Sequence, residues 1–311
     1  MERVTECLDL LEDYMSRHPT IYEVEKLNFL GAGAKDVYNC TAPFCDEGRQ
    51  LIAARVESRE SEEAHVGFFE QTAEGWRLIP DLPFFPLQDP FVTRIDGQLL
   101  FGGVWVKRAA NGDSQWRTLF YQGASIRMLK PYFGGPIGMK DLRLAQLPNG
   151  QILVLTRPQG RKGGRGKIGY LVLASLNELT LDKIADAPLL EGHFAEAEWG
   201  GANEVHPLKN GTAGVLGHIA YFDAQGNRHY YSMVFALDPL TGRHTPVKII
   251  AVRKDFLDGP AKRTDLRDVV FSGGAIRHKE SGVMELYAGT SDAEAQRIVI
   301  DDPFLDEEQN E

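Results

Sequence analysis

The stretch Leu87-Gln-Asp89-Pro-Phe-Val-Thr-Arg-Ile-Asp96-Gly-Gln-Leu-Leu-Phe-Gly-Gly-Val104 constrains the fold more than any other, because its plan returns four more times. It reads as an acid, a short apolar strand, a glycine-containing turn and a second apolar strand. Copies open at Asp36, Asp141, Glu204 and Asp268, at intervals of 53, 52, 63 and 64 residues. A period of about fifty residues built from short strands is that of a propeller or solenoid.

The expected architecture is therefore all-β, a five-bladed β-propeller with four short strands per blade. The fifth repeat shows three strands and no clear fourth, whereas Ile21–Phe29 alternates apolar and polar residues ahead of the first repeat. The expectation is that this N-terminal strand completes the last blade and closes the ring, since closure removes exposed sheet edges. Residues 1–19 read as a helical segment stopped at His18-Pro19, residues 20–304 as the propeller, and residues 305–311 as a disordered acidic tail. With 32 glycines and 16 prolines, the chain has the turn residues that many short strands need.

Charge and cysteine usage narrow the partners. A net charge of -10 repels phosphate backbones at long range, so nucleic acid is excluded as an expected partner and local positive charge needs a local reason. The amino terminus lacks an apolar core of signal-peptide length and no apolar run spans a bilayer, which reads as a soluble, cytoplasmic protein with no membrane partner. Cys7, Cys40 and Cys45 cannot all pair and have no metal-ligand spacing, so they read as buried thiols. Homo-oligomerisation is left open.

In a propeller, the start of each innermost strand faces one axis. Asp36, Asp89, Asp141, Glu204 and Asp268 are thus expected to share a funnel, where like charges raise one another's pKa values. The loop after each second strand opens on the same face and adds Arg55, Lys107, Arg157, His218 and the stretch from Tyr287 to Asp292. Carboxylates beside cations suit a polyhydroxylated substrate held together with an anion, such as an oligosaccharide or sugar phosphate. The loop Arg161-Lys-Gly-Gly-Arg-Gly-Lys167 lies on this face as a phosphate-holding loop or a solvated hairpin tip, and Trp199, Tyr132 and Phe133 as sugar-stacking rings or packing. No P-loop, HExxH or GxSxG motif occurs, and no metal site is expected, although the carboxylates could share a hard cation on the axis.

Leu51-Ile-Ala-Ala-Arg55-Val-Glu57-Ser-Arg59, Gln88-Asp89-Pro90 with Ile95-Asp96-Gly97, Lys140-Asp141, Arg157-Pro158, Gly217-His218, Val269-Val-Phe-Ser-Gly-Gly274 and Leu286-Tyr-Ala-Gly-Thr-Ser-Asp292 occur in order. This series resembles the five-bladed propellers of glycoside hydrolase family 130, and more nearly a sister group long known as a domain of unknown function. Some members of that group are mannosyltransferase/phosphorylases of glycosyltransferase family 108. Gln88, Phe91, Asp36 and Glu204 depart from the family pattern, which has Glu and Arg at the first two positions and usually no acid at the last two.

The resemblance implies a β-mannoside (β-1,2-mannooligosaccharide) phosphorylase or mannosyltransferase. Asp89 would be its single general acid and inorganic phosphate its co-substrate. Arg55, Arg157, His218 and Lys107 would position the phosphate. Asp141 and Asp36 would hold sugar hydroxyls, with Glu204, Asp268 and Tyr287 completing the substrate site. Two alternatives stand beside it: an inverting hydrolase using Asp36, Asp141 and Glu204, and a non-catalytic sugar-binding propeller.

Overall fold

The computed structural model describes residues 4–61, 63–108 and 114–309. Helix α1 (Cys7–Ser16) is followed by two short strands, β1 (Ile21–Lys26) and β2 (Phe29–Leu30). The first repeat holds β3 (Asp36–Tyr38), β4 (Phe44–Asp46), β5 (Arg49–Glu57), β6 (His65–Thr72) and β7 (Gly75–Leu78). The second holds β8 (Gln88–Ile95), β9 (Gln98–Arg108), β10 (Ser114–Gly123) and β11 (Lys130–Gly134). The third comprises β12 (Arg143–Gln146), β13 (Ile152–Thr156), the turn of helix α2 (Gly160–Gly163), β14 (Gly169–Leu173) and α3 (Leu181–Asp186). The fourth comprises β15 (Trp199–Pro207), β16 (Ala213–Phe222), β17 (Arg228–Leu237) and β18 (Lys248–Ala251), and the fifth β19 (Asp268–His278), β20 (Val283–Thr290) and β21 (Glu294–Asp301) before α4 (Leu305–Gln309).

Within each repeat, consecutive strands pair antiparallel, as tight turns dictate. Successive side chains of a strand point to opposite sheet faces, so each strand feeds two different apolar cores. In β5, Leu51 and Ala53 pack with Phe101 and Leu99 of the second repeat. Ile52 and Ala54 face the other way, toward Tyr287 and Ala295 of the fifth. Equivalent clusters join the second repeat to the third, the third to the fourth and the fourth to the fifth. Burying one such leucine or phenylalanine stabilises by roughly 1.5–3 kcal/mol, so the sheets are held face to face. Where the fifth repeat meets the first, Gly273 is obligatory: a Cβ there would lie 1.5 Å from the carbonyl oxygen of Cys40.

β1 pairs antiparallel with β21, Val24 opposite Ile298 and Lys26 opposite Gln296. The segment expected as one strand over 21–29 is instead divided, because Phe29–Leu30 pairs in parallel with β7 of the first repeat. The fourth strand of the second repeat is Lys130–Gly134, preceded by a single 3-10 turn over Ile126–Met128. The N-terminal helix docks on the fourth repeat: Cys7 and Tyr14 are buried, and the Tyr14 hydroxyl donates to Asp255 Oδ2 at 2.7 Å. The 305–311 tail also differs from expectation, for Leu305–Gln309 is helical and Glu308 accepts from Arg277 Nη1 at 2.9 Å and Lys279 Nζ at 3.0 Å. Pairing with these two cations gives the acidic run a docking surface that composition does not show. Among the described residues, no helix is long and apolar enough to cross a membrane.

Candidate active site

Each innermost strand carries a break or bulge along its course or at its start. Asn39 separates β3 from β4, and Asp141 lies just ahead of β12. Irregular registers fall between Gln88 and Phe91 in β8, between Ala202 and Glu204 in β15, and between Ser272 and Gly274 in β19. Asn39, Asp89 and Asp141 have φ of +45°, +49° and +56°, the left-handed region that Asn and Asp tolerate best among side chains bearing a Cβ. Such bulges re-aim a side chain out of the ladder and gather beside functional sites. The structural repeat therefore runs through Asn39, Asp89, Asp141, Asn203 and Gly273: two acids, two amides and a glycine.

Asp89 is buried and is approached by Asn39 Nδ2 at 2.7 Å and Arg55 Nη1 at 3.4 Å, both at Oδ1. Arg55 is buried against the Tyr38 ring, 5.0 Å away, and its Nη2 reaches Glu57 Oε2 at 2.9 Å. Burial works against the Arg55 charge, but Asp89, Tyr38, Glu57 and Asp292 outweigh it and raise its pKa. Glu57 also takes Lys262 Nζ and the Tyr38 hydroxyl, so it balances two cations. Asp292, left-handed at φ +51° beyond β20, has its pKa raised by desolvation and by Asp89, against the pull of Arg55.

Asp141 organises a second cluster. Arg157 Nη1 stands 3.3 Å from its Oδ2 and Arg143 Nη2 3.7 Å from its Oδ1. Burial acts to raise the Asp141 pKa, yet Arg157, Lys140 and Arg143 hold it down to about 2. Arg143 is fully buried, 5.1 Å above the Phe91 ring, and feels both Asp141 and Asp89, which ties the two clusters together. Its Nε donates to the Asn203 carbonyl at 3.0 Å, while Arg157 Nε donates to the Gly200 carbonyl at 2.6 Å. Gly201 permits this approach, because a Cβ there would meet Arg157 Cδ at 2.8 Å and His218 Cε1 at 3.0 Å. His218 Nδ1 lies 2.9 Å from Asn203 Oδ1. Burial first, then Arg157 and Lys140, push the His218 pKa down to about 3, so the ring is neutral at ordinary pH. An amide oxygen can only accept, which puts the ring proton on Nδ1 and a lone pair on Nε2.

Several buried polar atoms here have no hydrogen-bond partner: both carboxylate oxygens of Asp141, Arg157 Nη1 and Asn203 Nδ2. Unmet donors and acceptors that are buried together cost energy unless a ligand satisfies them. The pattern suits a molecule offering both hydroxyls and an anion. Among the described residues, no three His, Cys, Asp or Glu side chains gather as a metal site.

The structure thus brings together Asp89, Asp141, Arg55, Arg157 and His218, the last as a neutral ring. It does not bring in the others. Asp36 is gripped by the guanidinium of Arg59, with Nη2 2.7 Å from Oδ1. Glu204 takes the Ala275 amide at 2.6 Å and pairs with His206 at 3.0 Å, lining a cavity of about 80 Å³ with Thr41, Phe91 and Gly273. Asp268 accepts from His229 Nδ1 at 2.6 Å and the Tyr231 hydroxyl at 2.8 Å. Lys107 is exposed on β9 opposite Gln115, and the Tyr287 hydroxyl donates to Glu285 within the packing between the fifth and first repeats. Tyr132 donates to the Leu176 carbonyl and packs with Phe133 against an apolar core. Arg143, Lys262, Asn39 and Asn203 escaped the sequence reading, whereas Asp292 closes the stretch expected on this face; the signal for the amides was their place within the repeat.

Solved structures share this fold across nearly the whole chain. MPT-4, a mannose phosphorylase from Leishmania mexicana, determined in complex with phosphate ion, is 34% identical, with 94% of this chain and 93% of that chain covered and a TM-score of 0.87. MPT-1, a GDP-Man-dependent mannosyltransferase from the same organism, is 31% identical over 97% and 96%, with a TM-score of 0.88. The β-1,2-mannobiose phosphorylase of Listeria innocua, at 15% identity over 94% and 93% and a TM-score of 0.59, shares the fold. No curated protein matches the sequence. Residues 13–306 match the family described as "Protein of unknown function (DUF1861)", and the chain belongs to that family.

Proposed function

We propose that residues 20–304 form a five-bladed β-propeller closed by the β1 to β21 pairing, and that its site transfers a β-mannosyl unit between an oligosaccharide and inorganic phosphate. The chain is an enzyme acting on sugars, a mannoside phosphorylase or mannosyltransferase in general terms. The observation that carries the finer reading is the pairing of an anionic Asp141 and a cationic Arg157, each with unmet hydrogen-bonding atoms, beside Asp89. Support comes from the phosphate-bound mannose phosphorylase that shares the fold at 34% identity.

Each residue then has one task. Asp141, with its pKa held to about 2, cannot donate a proton and accepts sugar hydroxyls. Asp89 is the general acid. The contacts from Asn39 and Arg55 both fall on its Oδ1. A phosphate oxygen attacks the anomeric carbon as the glycosidic C–O bond breaks, and the Asp89 proton passes to the departing oxygen, directly or through a sugar hydroxyl. The product is a sugar 1-phosphate with inverted configuration. Arg157 and Arg55 hold the phosphate by charge-assisted bonds, and neutral His218 accepts a hydrogen bond from a sugar hydroxyl at Nε2. No metal or organic cofactor is needed.

A hydrolase would need two carboxyls about 6.5–9.5 Å apart with water between them. Of the three candidates, only Asp141 lies in the cluster, while Asp36 is paired with Arg59 and Glu204 with Ala275 and His206. Incubation with β-1,2-mannobiose, with and without phosphate, tests the proposal. Mannose 1-phosphate should form only with phosphate, and Glu204→Gln should keep turnover at saturating substrate. Free mannose as the sole product, abolished by Glu204→Gln, would establish hydrolysis instead.

A further inference from the structure

We propose that Phe222 and Arg165, backed by the buried Trp199, form a subsite for a further hexose ring of a neutral oligosaccharide beside the anion-binding cluster; the proposal rests on the functional reading above. The loop over 160–167 is pinned rather than free. Lys162 Nζ donates to the Ala187 carbonyl at 2.6 Å and to that of Ala185, and Gly160 and Gly164 exchange backbone bonds of 2.8 Å. Lys167 faces Glu191 at 3.9 Å, and Gly166 accepts the Gly200 amide at 3.1 Å while lying against the Arg157 guanidinium. These ties direct Arg165 over the rings of Phe222, at 5.2 Å, and Trp199, at 5.7 Å.

The aromatic groups lead outward from the catalytic cluster. Tyr230 stacks on His218 with centroids 5.6 Å apart at 23°. Trp199 stands against Tyr230 at 5.7 Å and donates its Nε1–H to the Tyr230 hydroxyl at 3.0 Å. Phe222 packs on Trp199 at 4.8 Å and is 38% exposed, with Arg228 also 5.7 Å from its ring. The exposed part of a ring held in place by two guanidinium groups offers an apolar surface to the C–H groups of a pyranose, while the planar Arg165 fork suits adjacent hydroxyls. Continuity with His218 makes the occupant part of the same substrate.

The test compares phosphorolysis of β-1,2-linked mannobiose and mannotetraose by the wild type, Phe222→Ala, Phe222→Trp and Arg165→Gln. The wild type should prefer the tetraose in kcat/KM. Phe222→Ala should lower tetraose kcat/KM about tenfold and erase the preference, with the KM for phosphate within twofold, and Phe222→Trp should restore it. A wild type without the preference, a Phe222→Ala variant that keeps it, or GDP competing with tetraose and losing affinity in Phe222→Ala would overturn the subsite. A wild type that turns over neither saccharide overturns the functional reading instead. Calorimetric titration with tetraose then decides the subsite alone: weaker binding by Phe222→Ala supports it, and equal or absent binding removes it.

Discussion

Asp141→Asn probes the charge arrangement most directly. Arg157, Lys140 and Arg143 hold the folded Asp141 carboxyl at about 2, below its ordinary 3.8. At about 1.4 kcal/mol per unit, the ionised carboxylate contributes on the order of 2 kcal/mol to stability. Because the folded value is the lower one, this contribution is complete above about pH 4 and is lost as pH falls through about 2. Asparagine keeps the shape but forfeits the charge at every pH, and leaves Arg157 and Arg143 buried without their counter-ion. Breaking a buried pair from one side costs about 3–5 kcal/mol, so the loss at pH 7 should fall between about 2 and 5 kcal/mol. Urea unfolding should show a lower midpoint with an unchanged slope. Excess inorganic phosphate should stabilise the variant more than the wild type, since Arg157 then has no internal anion to compete with the ligand. A variant as stable as the wild type at pH 7, or a variant indifferent to phosphate, would refute the reasoning.

Asp89→Asn retains a group that can accept from Asn39 but has no proton to transfer, and turnover on mannobiose should fall about 10²–10⁴-fold; an aryl β-mannoside with an acidic leaving group should show a much smaller defect, and equal defects would remove Asp89 as the acid. Arg157→Ala should raise the apparent KM for phosphate roughly ten- to a hundredfold, the equivalent of a charge-assisted bond of about 1.5–3 kcal/mol, and an unchanged KM would place the anion elsewhere. Deleting residues 1–27 exposes the β21 edge and removes Glu23 and Glu25 from Arg297. The single calorimetric transition should shift down by more than about 5 °C, and an unaltered Tm would show that β1 is dispensable.

The repeat was legible because alternating strands and glycine turns recur whatever the loops between them do. Asp89 and Asp141 were legible as acids that open a repeat, and Arg55, Arg157 and His218 because each lies in the second half of a second strand or just past it, in β5, β13 and β16. The other three acids were misplaced by register: Asp36 lies three residues before Asn39, Glu204 one after Asn203, and Asp268 five before Gly273. An acid is visible in a sequence, whereas the bulge that re-aims one residue is not, and at Asn39 and Asn203 an amide fills the position. Lys262 and Arg143 were hidden for another reason. Their partners, Glu57 and Asn203, belong to neighbouring repeats, and pairing between repeats leaves no periodic trace.

The pairing of β1 with β21 also sets the order in which the molecule can be completed during its synthesis. Ile21 faces Ile300, so β1 leaves the ribosome long before its partner β21 exists. At about 5–20 residues per second, the wait is on the order of tens of seconds, long compared with the formation of any one hairpin. Throughout that interval β1 is an unpaired edge at risk of recruiting another chain. Its exposed Glu23, Glu25 and Lys26 are the kind of charges that discourage such recruitment, and the same acids later receive Arg297 when β21 arrives.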